Sequence, residues 1–324
     1  MPLFPMRKIV DVSASPPAVR HVVVGDEHEG QRLDNFLLRI CKGVPKSHVY
    51  KAIRDGQVRV NKGRCRAETR LASGDTVRVP PLRLPAPGAA PPVPPAAFPV
   101  LYEDAHLLVI DKPAGVAVHG GSGVSFGVIE QLRAARPDER LLELAHRLDR
   151  ETSGVLMVAR SRKALVALHD MMRESRGRKH YLALVVGDWV NDRQHIRLPL
   201  LKYLTPDGER RVRVDALGKP AHTIVTLQRR YAGRYSLVGA ELRTGRTHQI
   251  RVHLASQGHP IAGDEKYGPD AVRAALAVHG FRRMFLHAHW LEIPHPVSGE
   301  PLVFESPLPP ACRALLDHLE HLHP

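Results

Sequence analysis

Nine of the twenty residues from Pro80 to Pro99 are proline, and a segment of that composition cannot lie inside a helix or a sheet. Proline fixes φ and lacks the amide donor, so the stretch is predicted to run as an extended, semi-rigid spacer. It divides the chain into an N-terminal extension over 1–30, a small module over 31–80, the spacer over 81–99 and a large domain over 100–324. The charge is divided just as unevenly. The sequence carries 47 Lys and Arg against 33 Asp and Glu, a net +14. Residues 31–80 hold twelve of those bases and four acids, so +8 lies in fifty residues and only +6 in residues 100–324. Charge concentrated in this way bears on partners rather than on fold, and nucleic acid is the expected polyanion.

Within the small module, Arg32–Leu38 reads as one helix and Ser47–Arg54 as a second, capped by Ser47 and stopped at Asp55-Gly56. Gln57–Asn61 and Thr76–Val79 alternate like strands. Lys51, Arg54, Arg59 and Lys62 then fall on a basic face suited to an RNA backbone, a solvated charged surface being the plain alternative. The large domain reads as α+β with a mixed, largely antiparallel sheet. Its strands are expected at 107–111, 155–159, 181–186, 224–229, 235–242, 285–293 and 301–305. Helices are expected at 126–135, at 162–174 behind the cap Ser161, at 247–257 and at 311–322. The regular strand–helix spacing of a doubly wound fold is absent.

Three segments carry candidate chemistry. In His146-Arg147-Leu148-Asp149-Arg150-Glu151-Thr152-Ser153-Gly154, one carboxylate stands between two guanidinium groups just before an apolar run. Positive charge favours the ionised carboxylate, and an ionised carboxylate suits attack on carbon better than proton donation. In Thr244-Gly245-Arg246-Thr247-His248-Gln249-Ile250-Arg251, a helix starting near Thr247 puts Arg251 on the face of its cap, where a fixed cationic fork suits a carboxylate or phosphate. In Lys179-His180-Tyr181, the tyrosine opens a strand and can stack on a base.

Other chemistries fit poorly. Cys41, Cys65 and Cys312 are odd in number and far apart, which predicts a reducing compartment, the cytoplasm, rather than a disulfide framework. No apolar run has the length of a signal peptide core or a membrane span, so no membrane partner is expected. Gly123-Val124-Ser125-Phe126-Gly127 matches a nucleophile elbow in letters only, because loop rather than strand precedes it. His287, His289 and His295, or His318, His321 and His323, lack a completing carboxylate or cysteine at zinc-site spacing, so no metal is expected. Asp149 is also wrongly spaced from Thr152 for the turn of an aspartic protease.

HRLDRETSG, KHYLALVVG, TGRTHQIRVHL and GHPIAGDEKYG, with DKPAGVAVHGGSG upstream, resemble the RluA superfamily of pseudouridine synthases from about Leu101 to Phe304. The module at 31–80 resembles a small α/β S4 RNA-binding domain. Glu151 stands where that family often has Asp, which leaves Asp149 and both arginines untouched. The resemblance implies isomerisation of uridine to pseudouridine in 23S ribosomal RNA or a large-subunit precursor, by a monomer that needs no cofactor and has no DNA partner. It implies Asp149 as nucleophile, Arg251 as its pairing arginine, Tyr181 packed on the target base, and Arg147 filling the space of the flipped nucleotide. Arg150, Arg246 and His248 are expected beside it on RNA. A non-catalytic RNA-binding factor on the same scaffold is the rival, and such a protein would be expected to lose Asp149, Tyr181 or Arg251.

Overall fold

The structure, a computed structural model, describes residues 18–41, 44–82, 93–120, 124–231 and 233–321. The chain divides between Pro92 and Val93 into two compact units. Residues 83–92 of the proline-rich spacer lie outside the described residues. On either side of them, Leu82 packs against the core of the first unit and Phe98 is buried in that of the second. The end of the spacer thus belongs to the second unit, because an apolar ring at position 98 has a core to enter.

In the first unit β1 (Arg20–Val23), α1 (Leu33–Ile40), α2 (Lys46–Arg54), β2 (Arg59–Val60) and β3 (Thr76–Val79) build a sheet of order β1-β3-β2 with two helices against it. β1 falls within residues 1–30, expected to be an extension; it pairs with β3 from Arg20↔Val79 to Val23↔Thr76 and so is part of the small fold. α2 begins at Lys46 after Pro45, so Ser47 lies inside the helix and is not its cap. Pro45 presets φ at the cap position, and no side-chain cap bond is present at this end of the helix. Val49, Ala52 and Ile53 fill the core at helical spacing, which turns Lys51 and Arg54 to solvent.

The second unit runs β4 (Val100–Glu103), β5 (Leu107–Lys112), α3 (Val128–Ala135), β6 (Glu143–Leu144), β7 (Ser153–Ala159), α4 (Arg162–Arg173) and β8 (Arg178–Val186). It continues with β9 (Arg193–Ile196), β10 (Leu200–Leu204), β11 (Arg210–Val214), β12 (Thr223–Tyr231), β13 (Tyr235–Leu242), α5 (Gln249–Ser256), α6 (Asp270–Val278), β14 (Leu286–Pro294), β15 (Pro301–Glu305) and α7 (Pro310–Glu320). The fold is α+β. Its ten-stranded sheet has the path β4-β5-β7-β14-β8-β13-β12-β9, with β15 added to β14 and β6 to β7. Every pairing is antiparallel except β7 with β14. β10 and β11 form a separate hairpin. Among the described residues no helix is long and apolar enough to cross a membrane.

The parallel junction positions the site. β7 is buried along its whole length, which accounts for the run Val155-Leu156-Met157-Val158. At its entrance Gly154 has φ +111°, and a Cβ there would lie 2.2 Å from the Ala288 carbonyl oxygen of β14. Only glycine lets the two strands meet at that point. Tyr181 on β8 stands opposite Ala288 on the other side of β14.

Candidate active site

Asp149 sits in the loop that feeds β7, and that loop is fixed from several sides. The Thr152 amide donates to the Asp149 carbonyl at 3.1 Å, closing a turn. Lys112, at the end of β5, is fully buried and donates from Nζ to the carbonyls of Pro113 (2.7 Å), Val116 (2.8 Å) and Arg150 (3.0 Å). One ammonium therefore joins the 113–116 turn to the Asp149 loop. Burial pushes its pKa down to about 7, against the pull of the Glu151 and Asp149 carboxylates. At the upstream end, His146 Nε2 accepts the Met157 amide at 3.1 Å, and burial lowers its pKa to about 3, so the ring is neutral.

The arginines next to Asp149 in sequence are not the ones that serve it. Arg147 is exposed, and Arg150 is exposed and pairs with Glu151 at 2.9 Å. Their side chains turn away because Leu148, between Arg147 and Asp149, is drawn into the core. The cation at Asp149 is Arg251, 102 residues on, whose Nη1 donates to Asp149 Oδ2 at 3.0 Å. Its Nε and Nη2 donate to Asp264 Oδ2 and Oδ1 at 2.8 and 2.7 Å, a bidentate pair. Side-chain exposure is 27% for Asp149, 6% for Arg251 and 0% for Asp264, so the first carboxylate opens to solvent and its support is sealed beneath it. Burial opposes both members of the sealed pair, and their contact more than offsets it. Asp264 is held below the usual carboxylate range and the Arg251 guanidinium above its ordinary value.

Arg251 lies in the first turn of α5. That helix starts at Gln249 and not at Thr247, because His248 has left-handed backbone (φ 52°) and breaks the turn. The Gln249 side chain ties the preceding loop to the start of the helix, accepting from the Arg246 amide (3.0 Å) and the Thr244 hydroxyl (2.8 Å). His248 Nε2 faces Asp149 Oδ1 at 3.8 Å, beyond hydrogen-bond length. Tyr267 closes the far side, its ring 5.1 Å from the Arg251 guanidinium carbon. Tyr181 is buried, and burial first, then the Asp149 charge, raises its hydroxyl above the ordinary range. It is a neutral phenol.

Asp149, Arg251, Tyr181 and His248 therefore share one site. Arg246 is exposed at its margin, with Nε on the Pro220 carbonyl at 3.1 Å. Lys51, Arg54, Arg59 and Lys62 belong to the first unit, where Arg54 lines a cavity of about 590 Å³ with Tyr50, Arg64 and Arg66. Lys112, Asp264 and Tyr267 have no assigned part in the sequence reading, although they lie in DKPAG and GDEKYG. The signal was an acid and an aromatic in one Gly-bounded turn, and a lysine ending an apolar strand. Three of the histidines considered as metal ligands hold hydrogen-bond partners of other kinds: His287 with Ser153 (2.9 Å) and Ser306 O (3.0 Å), His289 with Ser306 O (2.9 Å), His295 with Asp104 (2.8 Å). His323 lies outside the described residues.

The family model for RNA pseudouridylate synthases matches residues 106–256, and the S4 domain model matches residues 31–77. The ribosomal large subunit pseudouridine synthase C of Escherichia coli (strain K12) is 48% identical over 314 residues, covering 94% of this chain and 98% of that protein. The protein of the same name from Pasteurella multocida is 48% identical over 308 residues, 93% of this chain and 94% of its own. The chain belongs to the RNA pseudouridylate synthase family. The solved human RNA pseudouridylate synthase domain containing 4 has a TM-score of 0.57 at 26% identity and covers 69% of this chain. Its counterpart, domain containing 1, has a TM-score of 0.55 at 28% identity and covers 70%. The family match spans Asp149, Tyr181 and Arg251 and stops before Asp264 and Tyr267. The chain is thus a pseudouridine synthase, an isomerase, with an S4 domain ahead of its catalytic unit.

Proposed function

We propose that this enzyme isomerises uridine to pseudouridine in 23S ribosomal RNA, with Asp149 as nucleophile and the S4 domain as a basic anchor. The observation that carries the reading is the half-open Asp149 carboxylate held on a sealed Arg251–Asp264 pair, in a chain whose relatives are named for the large ribosomal subunit. In the reaction the N1–C1′ bond breaks and a C5–C1′ bond forms. The hydrogen on C5 leaves as a proton and N1 gains one. No oxidation state changes and no group is expelled, so the stoichiometry calls for no nicotinamide, nucleotide or metal.

The geometry supports the following division of labour. A uridine within folded RNA must first be unstacked, at a cost of a few kcal/mol. Arg147, exposed two residues from Asp149, is available to occupy the gap, and Tyr181 offers a neutral ring to the extruded base. Arg251 binds only Oδ2, which leaves Oδ1 free to meet the nucleoside. Arg150, Arg246 and the S4 residues Lys51, Arg54, Arg59 and Lys62 are read as phosphate contacts that position the RNA without reading its sequence. The same reading has the enzyme acting in the cytoplasm as a monomer, with RNA and not DNA as its partner.

The test is incubation of the purified protein with 23S RNA whose uridines carry tritium at C5. Release of tritium to water, with pseudouridine at discrete positions, is the expected result. Tight RNA binding without release would leave a non-catalytic binding factor.

A further inference from the structure

The hydroxyl of Tyr267 joins three parts of the catalytic unit. Its oxygen accepts the Val212 amide of β11 at 3.0 Å and lies 2.8 Å from His248 Nδ1, while its ring flanks Arg251. A phenol has one hydrogen to give. With a lone pair taken by Val212, that hydrogen is directed to His248 Nδ1. Burial pushes the Tyr267 pKa up to about 12, so the hydroxyl keeps its proton. Burial also lowers the pKa of His248, so the imidazole is neutral and carries one N–H. If Nδ1 accepts, the proton is on Nε2, the nitrogen that faces Asp149 Oδ1 at 3.8 Å. The opposite tautomer would point a lone pair at a carboxylate and give the Tyr267 oxygen two donors with its own hydrogen unplaced.

We infer that Tyr267 is a positioning residue that fixes the Nε2–H tautomer of His248, and that His248 is the second donor to the Asp149 carboxylate, closing on Oδ1 when RNA enters and water leaves. Hydrogen bonds that are long in a free enzyme tighten in its complexes. The two oxygens of Asp149 are then held differently. Oδ2 is bound by Arg251 already in the free enzyme, and Oδ1 gains its neutral donor only in the RNA complex, keeping a second lone pair for the nucleoside. The groups facing His248 are Asp149 from the catalytic loop, Arg251 from α5, and Asp264, Lys266 and Tyr267 from the segment after it. The one carboxylate that His248 meets and Arg251 leaves half-free is that of Asp149. This inference rests on Asp149 as the nucleophile, and its first readout does not.

The test uses the full-length enzyme labelled with ¹⁵N-histidine, with the His248 signals assigned by their loss in His248→Gln. At neutral pH, His248 should show an unprotonated Nδ1 and a protonated Nε2, and Tyr267→Phe should shift it to a mixture of tautomers. With 23S RNA, Tyr267→Phe and His248→Ala should each lower kcat by about 10-fold or more while KM stays within about 2-fold, the scale of one lost charge-assisted hydrogen bond. His248→Gln, whose amide donates from near the Nε2 position, should recover part of that loss. A protonated Nδ1 in the wild type, or a tautomer unmoved by Tyr267→Phe, would overturn the relay. A loss appearing in KM instead of kcat, or His248→Gln no better than His248→Ala, would make His248 an RNA contact or a packing residue. Full activity of Asp149→Asn would end the nucleophile reading while leaving the tautomer result standing.

Discussion

Replacing Asp264 with asparagine tests the electrostatic foundation of the site. Asp264 is sealed from solvent and accepts both Nε and Nη2 of Arg251, at 2.8 and 2.7 Å. An asparagine of the same shape can accept from one of those donors, and its NH2 then opposes the other. One charge-assisted hydrogen bond is lost, worth about 1.5–3 kcal/mol. The guanidinium also stays buried with only the half-exposed Asp149 as counter-charge, and breaking a buried pair costs about 3–5 kcal/mol in all. Retained contact with Asp149 places the expected loss at the lower end, about 3 kcal/mol. Both tryptophans, Trp189 and Trp290, lie in the catalytic unit, so their fluorescence in urea reports that unit alone. The effect has a pH signature. Asp264 is depressed below the ordinary carboxylate range in the folded state, so its contribution is complete above the unfolded pKa and lost as pH falls through the folded one. The gap between wild type and Asp264→Asn should be full at neutral pH and close in strong acid. A variant within about 0.5 kcal/mol of wild type at neutral pH, the range of an ordinary surface change, would refute the reasoning. So would a gap that does not narrow in acid.

Three further outcomes follow from the geometry. Gly154→Ala places a methyl 2.2 Å from the Ala288 carbonyl, so it should part β7 from β14 and lower the melting temperature of the catalytic unit, and an unchanged melt would contradict the close approach. Lys112→Met removes the three-carbonyl clamp and should lower kcat with little change in RNA affinity. Because the folded pKa of Lys112 is about 7, below its unfolded value, the penalty for burying its charge is full below that pH and is relieved as pH rises toward the unfolded value. Wild-type unfolding free energy should therefore gain on that of Lys112→Met across that window, and a flat difference would count against it. In the S4 domain, Lys51→Ala with Arg54→Ala should reduce the slope of log K against log salt by about 1–2, and an unchanged slope would show that these charges do not contact phosphates.

How much of this was legible in the sequence depended on whether a feature is local. The strands at 235–242 and 301–305 have the expected bounds, since alternation and a tight turn define them without reference to the rest of the chain. The Ser161 cap of α4 was legible for the same reason, and its hydroxyl accepts the Ala164 amide at 3.2 Å. β1 was not, because its four residues acquire their status as a strand only by pairing with β3, more than fifty residues on. The hairpin of β10 and β11 was missed because Arg210-Arg211-Val212-Arg213-Val214 reads as charge before it reads as alternation. At the site, Asp149 stood out as one acid among arginines. The partner that matters came from α5 through tertiary folding, and the adjacent Arg150 pairs with Glu151 instead. Asp264 in its Gly-bounded turn and Lys112 at the end of an apolar strand stand out locally, but their roles do not, since a buried carboxylate and a buried ammonium take their meaning from what surrounds them.

The account turns on the carboxylate of Asp149 as the group that reacts. The most direct measurement compares wild type with Asp149→Asn, an isosteric change that keeps a hydrogen-bond acceptor for Arg251 and removes the nucleophile. Both are assayed for tritium release from C5-labelled 23S RNA at matched RNA occupancy. Release by the wild type with none from the variant, at similar RNA affinity, is the predicted result. Equal release by the two proteins would contradict it.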